Sequence, residues 1–374
     1  MKPNGNVTGT SIAFAGESAY APFLASAVLA ALTLTSCTGS GGDPTASTAP
    51  LSSSHAPSSS QAQATRGTVE VVADGLDIPW SVVFHDDTAL ISERDSARVL
   101  ELTTDGTIRE VGVVPGVAPA GEAGLLGLAV RGDDLYVYST GQDENRIQRF
   151  ALTGEPGSFG LGPAETVLDG LPKANWHSGG RIAFGPDGML YATVGDTYRR
   201  DSAQDLDALS GKILRMTPDG EIPGDNPFDG SYVYSYGHRN PQGIAWDADG
   251  TMYSAEFGED TWDELNVIEP GGNYGWPLVE GAADDDRFID PVQQWPPAEA
   301  SPSGIAVAGD AIWIANLRGE RLREVPLDDL RTATEHLVGQ YGRLRLVTPA
   351  LGGSLWVLTN DTGDDRILRY SPAP

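Results

Sequence analysis

The sequence predicts an all-β protein: a six-bladed β-propeller with four-stranded antiparallel blades. Three observations carry that expectation. Six stretches repeat one pattern, in which a short apolar run, a turn and a second β-rich run follow one another. Their start-to-start spacings are 46, 54, 62, 61 and 41 residues, which matches a propeller blade of roughly 40–50 residues with insertions in the longer units. The 374 residues also include 46 Gly and 26 Pro with few Lys, a composition suited to a loop-rich β protein. The alternative that these hairpins leave open is a β-sandwich with irregular loops.

In chain order the hairpins are "VVFHDDTALISER" from Val82, "LAVRGDDLYVYS" from Leu128 and "IAFGPDGMLYATVGD" from Ile182. "IAWDADGTMYSAEFG" from Ile244, "IAVAGDAIWIANL" from Ile305 and "LVTPALGGSLWVLTN" from Leu346 complete the set. Asp/Gly turns between β-branched and aromatic runs are strong hairpin signals. In an antiparallel hairpin, the start of the first strand and the end of the second lie at one end. The starts are preceded by Glu122, by His177 and Arg181, by Arg239 and Asn240, and by Arg343 and Arg345. The ends lead to Arg94, Asp196, Glu256 with Gly258, and Arg318. The opposite turns carry no comparable set. Residues with chemistry are therefore expected at one rim of the central channel, where propellers bind ligands.

Ahead of the blades, residues 1–37 read as a lipoprotein signal peptide and residues 38–67 as a Ser/Thr/Pro/Gly-rich tether, with the propeller over 68–374. Ala21 to Leu34 is an apolar stretch of signal-peptide size, short for a bilayer span. It runs into "LTSC", which resembles a bacterial lipobox ending at Cys37, the only cysteine. Lys2 is the only basic residue before the stretch and Glu17 offsets it, a departure from the usual n-region. The expectation is an exported protein anchored by lipid on Cys37 to the outer face of the bacterial cell membrane. The tether composition has no apolar period and reads as flexible. With Lys+Arg 24 against Asp+Glu 52, the net charge is −28, and such a field repels nucleic acid.

Within the rim, Asp196 ends the hairpin that His177 begins, so the two can meet. A carboxylate partner fixes the imidazole tautomer and raises its basicity, as a general base requires. Arg239, Arg318, Arg343 and Arg345 come from three hairpins yet fall at the same rim. In so acidic a chain, their convergence points to an anionic ligand held by planar guanidinium forks. "SYGHRNPQG" adds the amide of Asn240, while His238 there has a packing role open to it. "EFGEDTWDELNVIEPGGNYGWPLVEG", from Glu256 to Gly281, is rich in acids and free carbonyls, the oxygen ligands of Ca²⁺, or else is a turn-rich connection held by Trp276 and Tyr274.

Together with "GLDIPWSVVF…ISER", "GEAGLLGLAV", "HSGGRIAFGPDGMLYATVGD", "AQDLDALSGKILRMTPDGEIPGDNPF", "YSYGHRNPQG", "DELNVIEPGGNYGWP" and "GRLRLV", the chain resembles the soluble quinoprotein sugar dehydrogenases, the PQQ-dependent glucose/sorbosone and aldose dehydrogenase family. The stretches fall in family order from about Gly75 to Tyr370. The resemblance implies a six-bladed propeller that binds PQQ, a tricarboxylated quinone, over Ca²⁺ at the channel mouth. It implies His177 as the base for the sugar C1 hydroxyl, oriented by Asp196, with hydride passing to the quinone. Arg239 and Asn240 would contact quinone oxygens, Arg343 and Arg345 the carboxylates, and Arg318 would stand for a lysine beneath the cofactor. Gly258 and Glu259 would offer carbonyls to Ca²⁺, Glu280, Ala282 and Asp284 would match a second calcium site, and Trp295 would contact the sugar.

This sequence departs from the family in two places. Glu122 stands where a cofactor-contacting glutamine is common, and Glu259 where a proline is. The expected activity is oxidation of the C1 hydroxyl of aldose sugars to lactones, with electrons passed to a quinone or cytochrome acceptor, in a monomer or homodimer. The alternative is a surface-anchored, non-catalytic propeller that binds a carbohydrate or protein ligand, which Glu122 and the "FGED" loop favour.

Overall fold

The structure, a computed structural model, describes residues 67–361 and 364–373. The leader with Cys37 and nearly all of the tether lie outside the described residues. The described strands form six four-stranded sheets, each antiparallel throughout and each a blade of a β-propeller, as the sequence predicts. The first blade consists of Pro79–His85, Thr88–Glu93, Arg98–Leu102 and Ile108–Val113. The second runs through Leu125–Arg131, Asp134–Thr140, Asn145–Thr153 and Gly160–Leu171. Ile182–Phe184, Leu190–Val194, Lys212–Met216 and Val233–Tyr236 make the third. The fourth is Asn240–Trp246, Met252–Phe257, Asp263–Ile268 and Gln293–Trp295, and the fifth Pro302–Ala308, Ala311–Asn316, Arg321–Pro326 and Thr334–His336.

The sixth blade joins both ends of the fold. Leu344–Pro349, Leu355–Thr359 and Asp365–Ser371 are completed on the outside by Thr68–Leu76, which pairs antiparallel with Asp365–Ser371. The hydrogen bonds of that pairing close the ring and leave no open seam between first and last blade.

The first strand of every blade lines the channel, and consecutive inner strands adjoin. Alternating apolar residues on both blade faces fill the gaps between neighbouring blades. One core joins Tyr136, Tyr138 and Ile147 of the second blade to Leu190, Ala192 and Leu214 of the third. Another joins Trp313 and Leu322 of the fifth to Val347, Val357 and Leu368 of the sixth. Burial of this kind stabilises by roughly 25 cal/mol per Å² of apolar surface.

Five inner strands break register near the rim, at Pro79/Ser81, Leu125/Leu128, Pro241/Gly243, Pro302/Ile305 and Leu344/Leu346. A bulge re-aims the side chains on either side of it. At Gly243 the crowding is severe, since a Cβ would stand 2.3 Å from the Ser303 carbonyl oxygen of the next inner strand.

Candidate active site

His177 precedes the first strand of the third blade and Asp196 follows the second, so the hairpin returns them to the same end. Their approach depends on Gly195, whose Cβ would lie 2.0 Å from the His177 carbonyl oxygen. His177, Thr197 and Tyr198 all hold left-handed backbone, with φ of 56°, 51° and 60°. Such conformations cost non-glycine residues about 1–3 kcal/mol each and concentrate where geometry serves function.

Asp196 accepts at 2.7 Å from His177 Nδ1 through Oδ1 and at 2.9 Å from the Tyr198 amide. Its Oδ2 accepts from the Trp276 indole Nε1–H, also at 2.9 Å. Burial pushes this carboxyl up, but the His177 hydrogen bond and charge, with the Tyr198 and Trp276 donors, outweigh it and hold the group below the ordinary carboxylate value. An ionised Asp196 only accepts, so Nδ1 carries the proton and Nε2 keeps its lone pair. Among the described residues Nε2 has no partner. The imidazole stacks on Tyr198 at 4.4 Å between centroids, and the His177 amide donates to Glu122 Oε2 at 3.2 Å. This is the constellation of a general base with its orienting acid.

A carboxyl held low by the fold contributes stability above the ordinary carboxylate pKa and loses it as pH falls through the folded value. The parent is therefore expected to exceed Asp196→Asn in Tm at pH 7, by about 2–5 °C, and the gap should close below about pH 4. Calorimetry across pH 3–7 checks this, and a gap that stays constant with pH would contradict it.

Beside the pair opens a pocket of about 370 Å³ lined by Arg94, Glu122, Trp176, Arg318, Arg343 and Arg345. Arg94 is paired with Asp95 at 2.7 Å. Among the described residues, Arg318, Arg343 and Arg345 have no carboxylate partner, although Arg98, Arg109, Arg149, Arg215, Arg321 and Arg323 all do. Arg345 is 4 % exposed and donates to the amide oxygens of Gln242 at 2.7 Å and Asn360 at 2.9 Å. Burial pushes its guanidinium down to about 9, with Glu122 opposing that and Arg343 adding to it. Below it Arg181 is also buried and brought down to about 9, by burial and by Arg345. Both guanidinium groups face the ring of Trp80, Arg181 at 4.0 Å and Arg345 at 5.8 Å. Glu122 supplies one counter-charge to this pair of buried cations, and buried cations with incomplete compensation are costly.

The other expected site residues divide. Arg239 reaches the Phe257 carbonyl at 3.3 Å and the Gly258 carbonyl, packs 5.4 Å from the Trp276 ring, and leaves its buried Nε unpartnered. Asn240 is fully buried, its Oδ1 accepting from Gly179 at 3.1 Å and its Nδ2 facing Glu122 at 3.4 Å. It bolts blades together more than it presents an amide to a ligand. His238 packs: it is buried between Ser235 and Glu256, at 2.8 Å from each.

Trp295 is a correction. It ends the outermost strand of the fourth blade, is 9 % exposed, and lies in a core with the Arg323 guanidinium 4.3 Å from its ring. Trp176 and Tyr198, exposed at 48 % and 61 %, are the aromatics open to solvent beside His177.

The metal expectations fare unevenly. Among the described residues no group of three or more His, Cys, Asp or Glu is arranged to hold a metal ion. The Gly258 carbonyl accepts from Arg239, and the Glu259 carboxylate pairs with Arg200 at 2.8 Å. Of the second set, Glu280 Oε1 caps the amides of Glu259, Thr261 and Trp262, and the Ala282 amide donates to Gln294 at 2.7 Å.

A family model described as Glucose / Sorbosone dehydrogenase matches residues 76–369. The chain is 32% identical over 260 residues to quinoprotein glucose dehydrogenase B of Acinetobacter calcoaceticus, an alignment covering 59% of this chain and 54% of that protein. It is 33% identical over 235 residues to aldose sugar dehydrogenase YliI of Escherichia coli (strain K12), covering 56% and 62%. The chain thus spans about half to three-fifths of these relatives' length. The PQQ-bound form of aldose sugar dehydrogenase from Streptomyces coelicolor superimposes with a TM-score of 0.78 at 48% identity, covering 82% of this chain and 98% of that one.

Proposed function

The chain belongs to the glucose/sorbosone dehydrogenase family, and from that premise we propose that it oxidises aldose sugars at the C1 hydroxyl with PQQ in the channel mouth. One observation carries the reading. A histidine whose Nε2 is unpartnered while Asp196 holds its Nδ1 opens beside arginines that lack carboxylates. A base adjoining an anion cradle, through Trp176 and Glu122 that line it, fits a hydroxyl substrate and a polycarboxylate cofactor.

PQQ fits the residues present. Arg343 and Arg345 would hold its carboxylates, Arg318 would add positive charge from the fifth blade, and Arg239 would face its quinone oxygens. When bound, it supplies a two-electron oxidant that takes hydride from C1. His177 Nε2 accepts the hydroxyl proton, and Asp196 stabilises the imidazolium that results. The sugar leaves as its lactone, and the two electrons pass on to a quinone or cytochrome acceptor. Glu122 already accepts from the His177 amide and faces the Asn240 amide, so in this chain a carboxylate occupies a position where an amide would serve the same donors.

Calcium fits less well. Gly258 and Glu259 would offer backbone oxygens alone, one of them already bonded to Arg239. The leader and Cys37 support a lipid-anchored protein facing outward.

The test adds PQQ, with and without Ca²⁺, to the purified protein and follows the bound chromophore and oxidation of an aldose panel with an artificial acceptor. Binding and turnover are expected. A protein that neither binds PQQ nor oxidises any aldose would sink the reading and leave a ligand-binding propeller.

A further inference from the structure

Trp276 sits in the long connection between the third and fourth strands of the fourth blade, yet its indole reaches the third blade. It is 5 % exposed. Its Nε1–H donates at 2.9 Å to Asp196 Oδ2, 80 residues away in sequence. The other oxygen of that carboxylate takes His177 Nδ1. Trp276 is itself fixed on three sides. Its amide donates to the Gly237 carbonyl at 2.9 Å, its carbonyl accepts from Gln204 Nε2 at 2.7 Å, and the Arg200 guanidinium lies 4.5 Å from its ring.

We propose that Trp276 is a positioning residue for the His177–Asp196 pair. Its indole N–H holds the carboxylate so that Oδ1 faces Nδ1, which keeps the proton there and leaves the lone pair on Nε2. With the indole on Oδ2 and the Tyr198 amide on Oδ1, the carboxylate is pinned at both oxygens. Without the indole the buried Oδ2 loses its hydrogen bond and the group pivots on Oδ1 alone about its broad terminal torsion, which loosens the angle it presents to Nδ1. The Tyr198 amide already shares Oδ1 with the imidazole, so it leaves Oδ2 without a donor. A tautomer set by the partner of the opposite ring nitrogen is the usual device for orienting a histidine.

The inference rests on His177 as the base of the proposed reaction, and the test separates the two. In ¹⁵N-labelled protein without cofactor, two-dimensional long-range ¹H–¹⁵N spectra report which His177 nitrogen is protonated, with His177→Ala giving the assignment among the five histidines. The parent is expected as the single Nδ1–H tautomer at neutral pH. Trp276→Phe should show both tautomers and, loaded with cofactor, lower kcat by about 3–10-fold with KM within twofold, a small part of the roughly 10²–10⁴-fold a positioned base supplies, because the base stays but is held less well. Should that variant not fold, replacing the indole at 276 site-specifically by benzothiophene removes only the N–H. A single Nδ1–H tautomer in the variant overturns the inference whatever its activity. Mixed tautomers in a protein whose parent oxidises no aldose would uphold the positioning role and defeat the proposed reaction instead.

Discussion

His177→Ala is expected to lower kcat by about 10²–10⁴-fold, or roughly 3–5 kcal/mol of barrier, the usual worth of a positioned base. Without it the C1 hydroxyl must lose its proton to water as hydride leaves. PQQ affinity should hold within a few-fold, because the groups proposed to bind it come from other blades. Arg318 and Arg343 have no carboxylate partner in the described structure, and Arg345 is anchored by Gln242 and Asn360. The imidazole also fills space against Tyr198, so the control is a melting curve that stays near the parent's. Steady-state kinetics at saturating PQQ decide the matter. A variant as active as the parent places the base elsewhere.

Arg343→Ala is expected to do the reverse. Its side chain lines the pocket and, among the described residues, has no carboxylate partner to strand, so removal leaves no buried charge. Losing one charge-assisted hydrogen bond to a carboxylate should raise the Kd for PQQ by about 10–100-fold, or roughly 1.5–3 kcal/mol. Turnover should return toward the parent value at excess PQQ. Calorimetric titration of the protein with PQQ measures this directly, and an unchanged Kd would remove Arg343 from the cradle. Arg345 is the less clean probe. Its guanidinium ties Gln242 of the fourth blade to Ser303 of the fifth and Asn360 of the sixth, so truncating it also unpins the floor of the channel.

These two substitutions probe residues that were legible before any coordinates. The blades were legible because a hairpin leaves a local signature: apolar alternation on each side of an Asp/Gly turn depends on neighbours a few residues apart. The rim was legible for the same reason, since antiparallel pairing returns His177 and Asp196 to one end across 19 residues. The closing strand, Thr68–Leu76, was not, because its partner lies almost 300 residues away and no local pattern names it.

The sequence by itself determined the repeat, the number of blades and the meeting of His177 and Asp196 at one end of their hairpin, since each follows from short-range periodicity and chain direction. Only the tertiary structure decided which rim residues face one another. Trp276 meets Asp196, and Arg345 meets Gln242 across 103 residues, through a connection and a ring closure whose paths no spacing encodes. It decided too that Trp295 is core and Trp176 surface. Both are tryptophans in polar surroundings, and burial depends on what the neighbouring blade puts against each ring, which here is the Arg323 guanidinium over one and open solvent over the other.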